Sequence, residues 1–138
     1  MKVALKWKQG LSFSGSAPSG HSLDMSAYQD VGGTGDGFAP VELVALGLGG
    51  CTGMDVISIL QKKRQDVKAF EVRVTTERKE EHPRVWTRAV IEYLITGKDI
   101  DPAAVERAIQ LSSEKYCPVQ NMLRPAVKLE TRYEIREG

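Results

Sequence analysis

The stretch PVELVALGLGGCTGMDVISILQKKR, residues 40–64, decides the fold of this 138-residue chain. Pro40 suits the first turn of a helix, and the residues after it contain neither another proline nor the alternation of a strand. Basic side chains occur only at the end of the stretch, where cations complement the helix dipole. The first two thirds are apolar on all sides, through Val41, Leu43, Val44, Leu46, Leu48, Met54, Val56, Ile57 and Leu60. The stretch therefore predicts one long helix that other protein must cover.

A helix that is apolar all round has to be buried on every side. The remainder of a 138-residue chain offers little material for this, so we infer a homodimer in which a second copy covers part of the helix. Gly47, Gly49, Gly50 and Gly53 each cost about 1 kcal/mol relative to alanine in a helix interior. Two helices that cross at small residues would need these glycines whether or not Cys51 has any chemistry.

Short segments of alternating apolar and polar residues lie on both sides of this helix in the sequence. They cover residues 3–7, 11–13, 21–25, 70–75, 85–95 and 127–135. The first three predict an antiparallel meander, the next two a hairpin, and the last a closing strand. Asp101 followed by Pro102 is a start signal for a second helix, which ends at Cys117. This order predicts an α+β fold with antiparallel strands and a long buried central helix, as a single domain over residues 1–138.

Composition excludes several classes of function. The chain is 41% hydrophobic and carries 19 basic and 18 acidic side chains, so it offers no basic field for nucleic acid. The most apolar stretch, residues 38–60, contains Glu42, Asp55 and several glycines, which argues against a membrane span. The first eight residues interrupt their apolar side chains with lysines and so lack a secretion signal. We therefore expect a cytoplasmic protein with neither a nucleic-acid nor a membrane partner.

The two cysteines, Cys51 and Cys117, are the main candidates for chemistry. No C-x-x-C motif or paired histidine spacing accompanies them, which excludes a zinc site, and no metal or other cofactor is indicated. The glycine-rich segment at residues 32–37 lacks the features of a phosphate-binding loop, and we expect a flexible connection there. In a reducing compartment the cysteines are either a redox pair or two inert buried thiols. The residues alone leave both interpretations open.

The run from residue 40 to residue 52, together with SEKYCPV at residues 113–119, resembles the OsmC/Ohr family of osmotically inducible and organic hydroperoxide resistance proteins. The resemblance covers nearly the whole chain. Its motif is P-x-E-L followed by G-x-x-x-C, and the K-x-R-Q-D-V run at residues 62–67 is similar to a short OsmC-like branch. The resemblance implies an intertwined α+β homodimer with two active sites at the subunit interface.

The resemblance also implies an activity and the residues that perform it. It implies thiol-dependent reduction of organic hydroperoxides, in oxidative-stress defence, without a metal or prosthetic group. Cys51 matches the peroxidatic position, Cys117 the resolving position and Glu42 an acidic position at the start of the long helix. The Cys51 thiolate would become a sulfenic acid, and Cys117 would condense with it to a disulfide. An external dithiol, for which a lipoyl group is one candidate, would reopen that disulfide.

Two departures from the family pattern affect this interpretation. Peroxidase members use an arginine on an N-terminal loop, held by the glutamate, whereas no arginine precedes Arg64 here. A buried cysteine without a nearby cation is expected to be a poor nucleophile. The Ohr-type glutamate lies ten positions before its cysteine, where this chain has Val41. Glu42 lies nine positions before Cys51, and nine residues turn through about 900°, which puts the two on opposite sides of an ideal helix.

Three hypotheses therefore stand. The first is an organic hydroperoxide reductase, in which Lys115, Arg124 or Arg64 of the partner subunit would replace the missing arginine. The second is a non-enzymatic binding or redox-sensing dimer that keeps the thiols without the peroxidase machinery. The third is an unrelated stress or scaffold protein with inert cysteines. A basic group within hydrogen-bond reach of Cys51 would favour the first, and a dry apolar pocket the second.

Overall fold

A computed structural model describes all 138 residues, which form two compact units, residues 1–44 and residues 45–138. In the first unit, three strands form an antiparallel sheet in the order β1-β2-β3. Their bounds are β1 Ala4–Gln9, β2 Ser12–Ser16 and β3 Ser22–Ser26. The alternating segments at the start of the chain thus form the expected meander.

The glycine-rich segment that follows β3 is closely packed. A Cβ at Gly33 would lie 1.7 Å from the carbonyl oxygen of Ala27, and a Cβ at Gly37 would lie 2.4 Å from that of Asp24. The Asp36 carboxylate accepts hydrogen bonds from the hydroxyl of Thr34 at 2.6 Å and from that of Ser12 at 3.0 Å. These glycines allow close backbone approach, and the segment is tied to β2 rather than being a free loop.

The second unit is built on a sheet of three longer strands in the order β4-β5-β6. Their bounds are β4 Asp66–Arg78, β5 Trp86–Lys98 and β6 Lys128–Glu137. Strands β4 and β5 form the expected antiparallel hairpin, whereas β6 pairs with β5 in the parallel direction. A parallel pair needs a long crossover, and the helical segments between β5 and β6 supply it.

The long helix α1 extends over Pro40–Lys62, close to the predicted range. Its buried residues in the second unit form two neighbouring rows with a spacing of four positions. One row is Leu48, Thr52, Val56 and Leu60, and the other is Gly49 and Gly53. Gly49 and Gly53 lie against β4, where an added Cβ would come within 3.2 Å of the side chains of Val74 and Val72. These two glycines therefore let the helix approach a sheet, while a Cβ at Gly47 or Gly50 would meet nothing in this chain.

The other face of α1 is open in the single chain. Met54 is 73% exposed and Leu46 is 56% exposed. The helix is long and apolar enough to cross a membrane by length and composition alone, and 28% of its most apolar window is buried. One such helix is weak evidence for a span, because core helices pass the same test. The chain thus covers one face of α1.

The crossover between β5 and β6 consists of three helical pieces rather than the one predicted helix. Helix α2 extends over Pro102–Leu111, with Asp101 as its N-cap, and a π-helical turn follows at Ser112–Tyr116. Helix α3 then occupies Pro118–Leu123, a segment for which the sequence showed no helix signal. Cys117 separates the last two and caps α3, so the chain changes direction at this cysteine.

Candidate functional site

The structure brings the two cysteines together. Cys51 lies in the middle of α1 and is partly buried, and Cys117 is fully buried at the start of α3. Both are free thiols, and they lie close enough for Cys51 to affect the pKa of Cys117. A pair separated by more than sixty residues in sequence is therefore adjacent in the fold of the second unit.

The two thiols have different surroundings. Burial raises the pKa of Cys117 to about 11, and the hydrogen bond to Cys51 acts in the same direction. The backbone N–H groups of Gln120 and Val119 oppose this shift without cancelling it. At neutral pH Cys117 is therefore protonated, and its S–H can donate to the sulfur of Cys51.

The π-helical turn fixes the position of Cys117. Its backbone N–H donates to the carbonyl oxygen of Ser112 at 2.9 Å, and its sulfur accepts from the N–H of Gln120 at 3.4 Å. Pro118 follows as the first residue of α3, a position that proline favours. Single π turns inside helical segments occur frequently at functional sites, and here one ends at a candidate reactive group.

A chain of buried hydroxyl groups lies between the same two segments. The hydroxyl of Thr52 is 2.7 Å from that of Tyr93 and 2.8 Å from that of Ser112, and Ser112 donates to the Asp55 carboxylate at 2.8 Å. Thr52, Tyr93 and Ser112 are fully buried. Burial raises the pKa of Tyr93 to about 12, so its phenol stays protonated at neutral pH. We call these four residues the hydroxyl chain.

Sequence reasoning did not identify the hydroxyl chain. The available signal is the presence of Thr52 in a row of α1 that is otherwise apolar, at Leu48, Val56 and Leu60. A polar side chain on the buried face of a helix requires a hydrogen-bond partner. The alternation and helix signals do not indicate which strand or turn supplies that partner.

Gln120 is a further polar group at this site. It is fully buried, and neither its side-chain oxygen nor its side-chain nitrogen has a hydrogen-bond partner in the chain. Leaving a buried amide unsatisfied costs roughly 1–3 kcal/mol. Its backbone N–H is the group that contacts the Cys117 sulfur, so this cost arises on the turn that carries the second thiol.

Glu42, the third predicted site residue, caps the start of α1. Its carboxylate accepts a hydrogen bond at 2.7 Å from the backbone N–H of Ala39, the residue before the helix. This contact resembles half of a capping box, and an acidic group in the first turn also complements the helix dipole. The structure thus gives Glu42 a local structural partner.

The candidate replacement cations in this chain are engaged away from the thiols. Arg124 donates to the carbonyl oxygen and the hydroxyl of Ser113 and to the side chain of Asn121, which ties α3 to the π-helical turn. Lys115 lies 5.3 Å from the ring centre of Tyr116. Neither forms a hydrogen bond with a cysteine. No group of three metal-ligating side chains is present.

The chain is similar to known proteins over its full length. The sequence profile of the family described as OsmC-like protein matches residues 33–132. Protein YhfA of Escherichia coli strain K12 is 46% identical over 136 residues, which cover 98% of each chain. The crystal structure of a hypothetical protein from Aquifex aeolicus VF5 superposes with a TM-score of 0.87 at 31% identity, over 99% of this chain and 96% of that one.

A more distant structure shares the fold. An organic hydroperoxide resistance protein OsmC from Legionella pneumophila superposes with a TM-score of 0.72 at 17% identity, over 97% of each chain. The family match spans well over half of the chain and includes α1, β4, β5 and both cysteines. The chain belongs to the OsmC family.

Proposed function

We propose that this protein is a thiol-dependent peroxidase that reduces organic hydroperoxides to alcohols. The observation that carries the proposal is the pairing of a partly exposed thiol, Cys51, with a buried and protonated one, Cys117. A peroxide-reducing cysteine must be reachable by its substrate, whereas a resolving cysteine only has to reach the first sulfur. Among relatives, the Legionella OsmC protein is described as an organic hydroperoxide resistance protein.

The proposed reaction has three steps. The Cys51 thiolate attacks one oxygen of the peroxide, the O–O bond breaks, and the alkoxide leaves as an alcohol after taking a proton. Cys51 is then a sulfenic acid. The Cys117 sulfur attacks the Cys51 sulfur, and its proton leaves with the sulfenic hydroxyl group as water. An external dithiol reduces the resulting disulfide by thiol exchange and is itself oxidised.

In this scheme Cys117 acts after Cys51 has been oxidised. Before oxidation Cys117 is protonated and lies beside Cys51. After oxidation the same sulfur is already adjacent to the sulfenic acid that it must attack.

We also propose that the active protein is a homodimer in the cytoplasm. The open face of α1 at Leu46 and Met54, and the exposed side chains of Leu5 and Trp7 on β1, leave apolar surface that a second copy would cover. An apolar cleft at that interface would favour alkyl or fatty-acyl hydroperoxides over hydrogen peroxide. Two free thiols that need a dithiol reductant suit a reducing compartment.

Stopped-flow oxidation of the reduced protein tests the activity. Cumene hydroperoxide should react faster than hydrogen peroxide, and mass spectrometry should find a Cys51 to Cys117 disulfide. Cys51→Ser should abolish peroxide consumption, whereas Cys117→Ser should consume one equivalent per subunit and stop at the sulfenic acid. Full activity in Cys51→Ser would show that the roles are assigned wrongly.

A specific observation favours a second candidate, a non-enzymatic binding or redox-sensing dimer. Arg124 and Lys115 have partners other than the thiols, and no arginine precedes Arg64. This candidate predicts slow oxidation of Cys51 with no preference between cumene hydroperoxide and hydrogen peroxide. The same stopped-flow comparison therefore separates the two functions.

A further inference from the structure

The proton directions in the hydroxyl chain follow from its chemistry. The carboxylate of Asp55 only accepts, so the single hydroxyl proton of Ser112 is used in that bond. Ser112 must then accept from Thr52 at 2.8 Å, and Thr52 in turn accepts from Tyr93 at 2.7 Å. Thr52 and Ser112 each donate one bond and accept one, Tyr93 donates and Asp55 accepts, so the hydroxyl chain has a single consistent arrangement. Such fully satisfied buried networks rigidify the segments that they join.

The middle bond of this chain connects the two segments that carry the cysteines. Thr52 directly follows Cys51 on α1, and Ser112 opens the π-helical turn that leads to Cys117. The carbonyl oxygen of Ser112 also accepts the backbone N–H of Cys117 at 2.9 Å. One residue thus contacts the first cysteine's helix through its side chain and the second cysteine through its backbone.

We propose that Thr52 and Ser112 are positioning residues that hold Cys117 beside Cys51 for disulfide formation. The inference rests on the redox pair of the proposed function and extends it to the residues that set the geometry of the second step. A disulfide forms only within a narrow range of Cα separations and dihedral angles. The bond between Thr52 and Ser112 is fully buried, so water cannot replace it without a cavity being opened.

The test measures how strongly the fold favours the disulfide, without any hydroperoxide. In glutathione buffers, Cys51 and Cys117 lose two electrons and two protons to glutathione disulfide, which becomes two molecules of glutathione. The fraction of disulfide at each buffer ratio gives the effective concentration of one thiol at the other. Mass spectrometry after acid quenching and alkylation reads that fraction for each variant.

We expect Thr52→Val and Ser112→Ala each to lower the effective concentration about tenfold or more, because a misplaced reacting group loses much of its proximity advantage. The double variant should lose little more than the worse single variant, since both changes remove the same bond. Thr52→Ser keeps a hydroxyl and should restore most of the loss. Tyr93→Phe leaves the bond between Thr52 and Ser112 in place and should change the value about threefold or less.

A control separates positioning from general destabilisation. Val105→Ala creates a small cavity in the buried core of α2 and should lower stability without changing the effective concentration. Values within about twofold of the wild type for both Thr52→Val and Ser112→Ala would overturn the inference, as would failure of Thr52→Ser to restore the loss. Absence of any disulfide in the wild type would overturn it too.

The outcomes distinguish this inference from the proposed activity. If the variants show the expected losses of effective concentration but hydroperoxide oxidation is slow and unselective, the peroxidase is refuted and the positioning role stands. If hydroperoxide reduction is fast but the effective concentrations in the variants are unchanged, the peroxidase is supported and the positioning role is refuted. In stopped-flow experiments the variants should close the disulfide about tenfold more slowly than the wild type.

Discussion

At the scale of single residues, Cys51 and Cys117 carry the same functional group in unequal surroundings. The first is partly exposed on a helix, and the second is buried at the end of a π-helical turn, where burial raises its pKa. The sequence, through its resemblance to a family, predicted a role for each of them, and the structure places the two close together. The buried partners Thr52, Tyr93 and Ser112 were missed because hydrogen bonds between distant segments leave no periodic signal.

Cys117 should react slowly with alkylating reagents until the pH is high. Its pKa of about 11 means that the thiolate fraction at neutral pH is very small and increases with pH. Iodoacetamide alkylation followed by mass spectrometry of the Cys117 peptide measures this. Denatured protein gives the reference for an ordinary cysteine, and a rate that already levels off near neutral pH would contradict the assigned environment.

Glu42 should contribute to stability through its cap on α1. Glu42→Ala removes the acceptor for the N–H of Ala39 and should lower the free energy of unfolding by about 1 kcal/mol. Glu42→Gln keeps an acceptor and should lose about half of that or less. Urea denaturation of the two variants checks the difference. If Glu42→Gln instead abolished hydroperoxide reduction at unchanged stability, Glu42 would belong to the reaction site.

At the scale of elements, the alternation and the cap signals predicted most strands and both longer helices. They could not predict that β6 pairs with β5 in parallel, because an alternating pattern is the same in either direction. The π-helical turn and α3 were also missed. The chain there changes from one helical form to another at Ser112 and Cys117. These segments have five and six residues, which is too few for a periodic pattern of apolar residues to be recognised.

Pairing of β5 with β6 should weaken in acid. Arg88 binds the Glu130 carboxylate through two nitrogens, at 3.0 and 2.6 Å, and the guanidinium lowers the pKa of Glu130 from 4.5 to about 2. Because the pKa of Glu130 is lower in the folded than in the unfolded state, its ionised carboxylate stabilises the fold at pH values above the unfolded pKa. This contribution is lost as the pH falls from about 4.5 towards 2.

Glu130→Gln should therefore flatten the pH dependence of stability in that range. The measurement is the urea midpoint as a function of pH for the wild type and the variant. Because the pair is partly open to solvent, added salt should reduce the difference between them. Identical profiles in acid would show that Arg88 and Glu130 do not stabilise the sheet.

At the scale of the whole molecule, composition and periodicity predicted an α+β protein whose long helix needs covering. In the single chain one face of α1 is covered, by the core of residues 45–138, and Met54 remains exposed. The sequence could not show which of the four glycines of α1 contact the sheet of the same chain and which do not. Gly49 and Gly53 accommodate β4, and only the open positions at Gly47 and Gly50 remain available for a second copy.

Met54→Lys should dissociate the proposed homodimer. Met54 is 73% exposed in the single chain, so a lysine there costs a monomer little, whereas a charge buried at an apolar interface is strongly unfavourable. Sedimentation velocity should show the wild type as a dimer and the variant as a monomer. Met122→Lys, on α3 and 70% exposed, provides a matched control. A monomeric wild type would refute the dimer.

The distance in sequence between the paired thiols has a consequence for heat resistance. A bond between Cys51 and Cys117 would close a loop of roughly 66 residues, and a cross-link of that length lowers the entropy of the unfolded chain enough to stabilise the fold by about 4 kcal/mol. In the proposed reaction, each turnover would therefore alternate between an oxidised protein of higher stability and a reduced one of lower stability. Under oxidative stress, when the dithiol reductant is limiting, the disulfide form would accumulate, and it would be the form more resistant to unfolding and proteolysis.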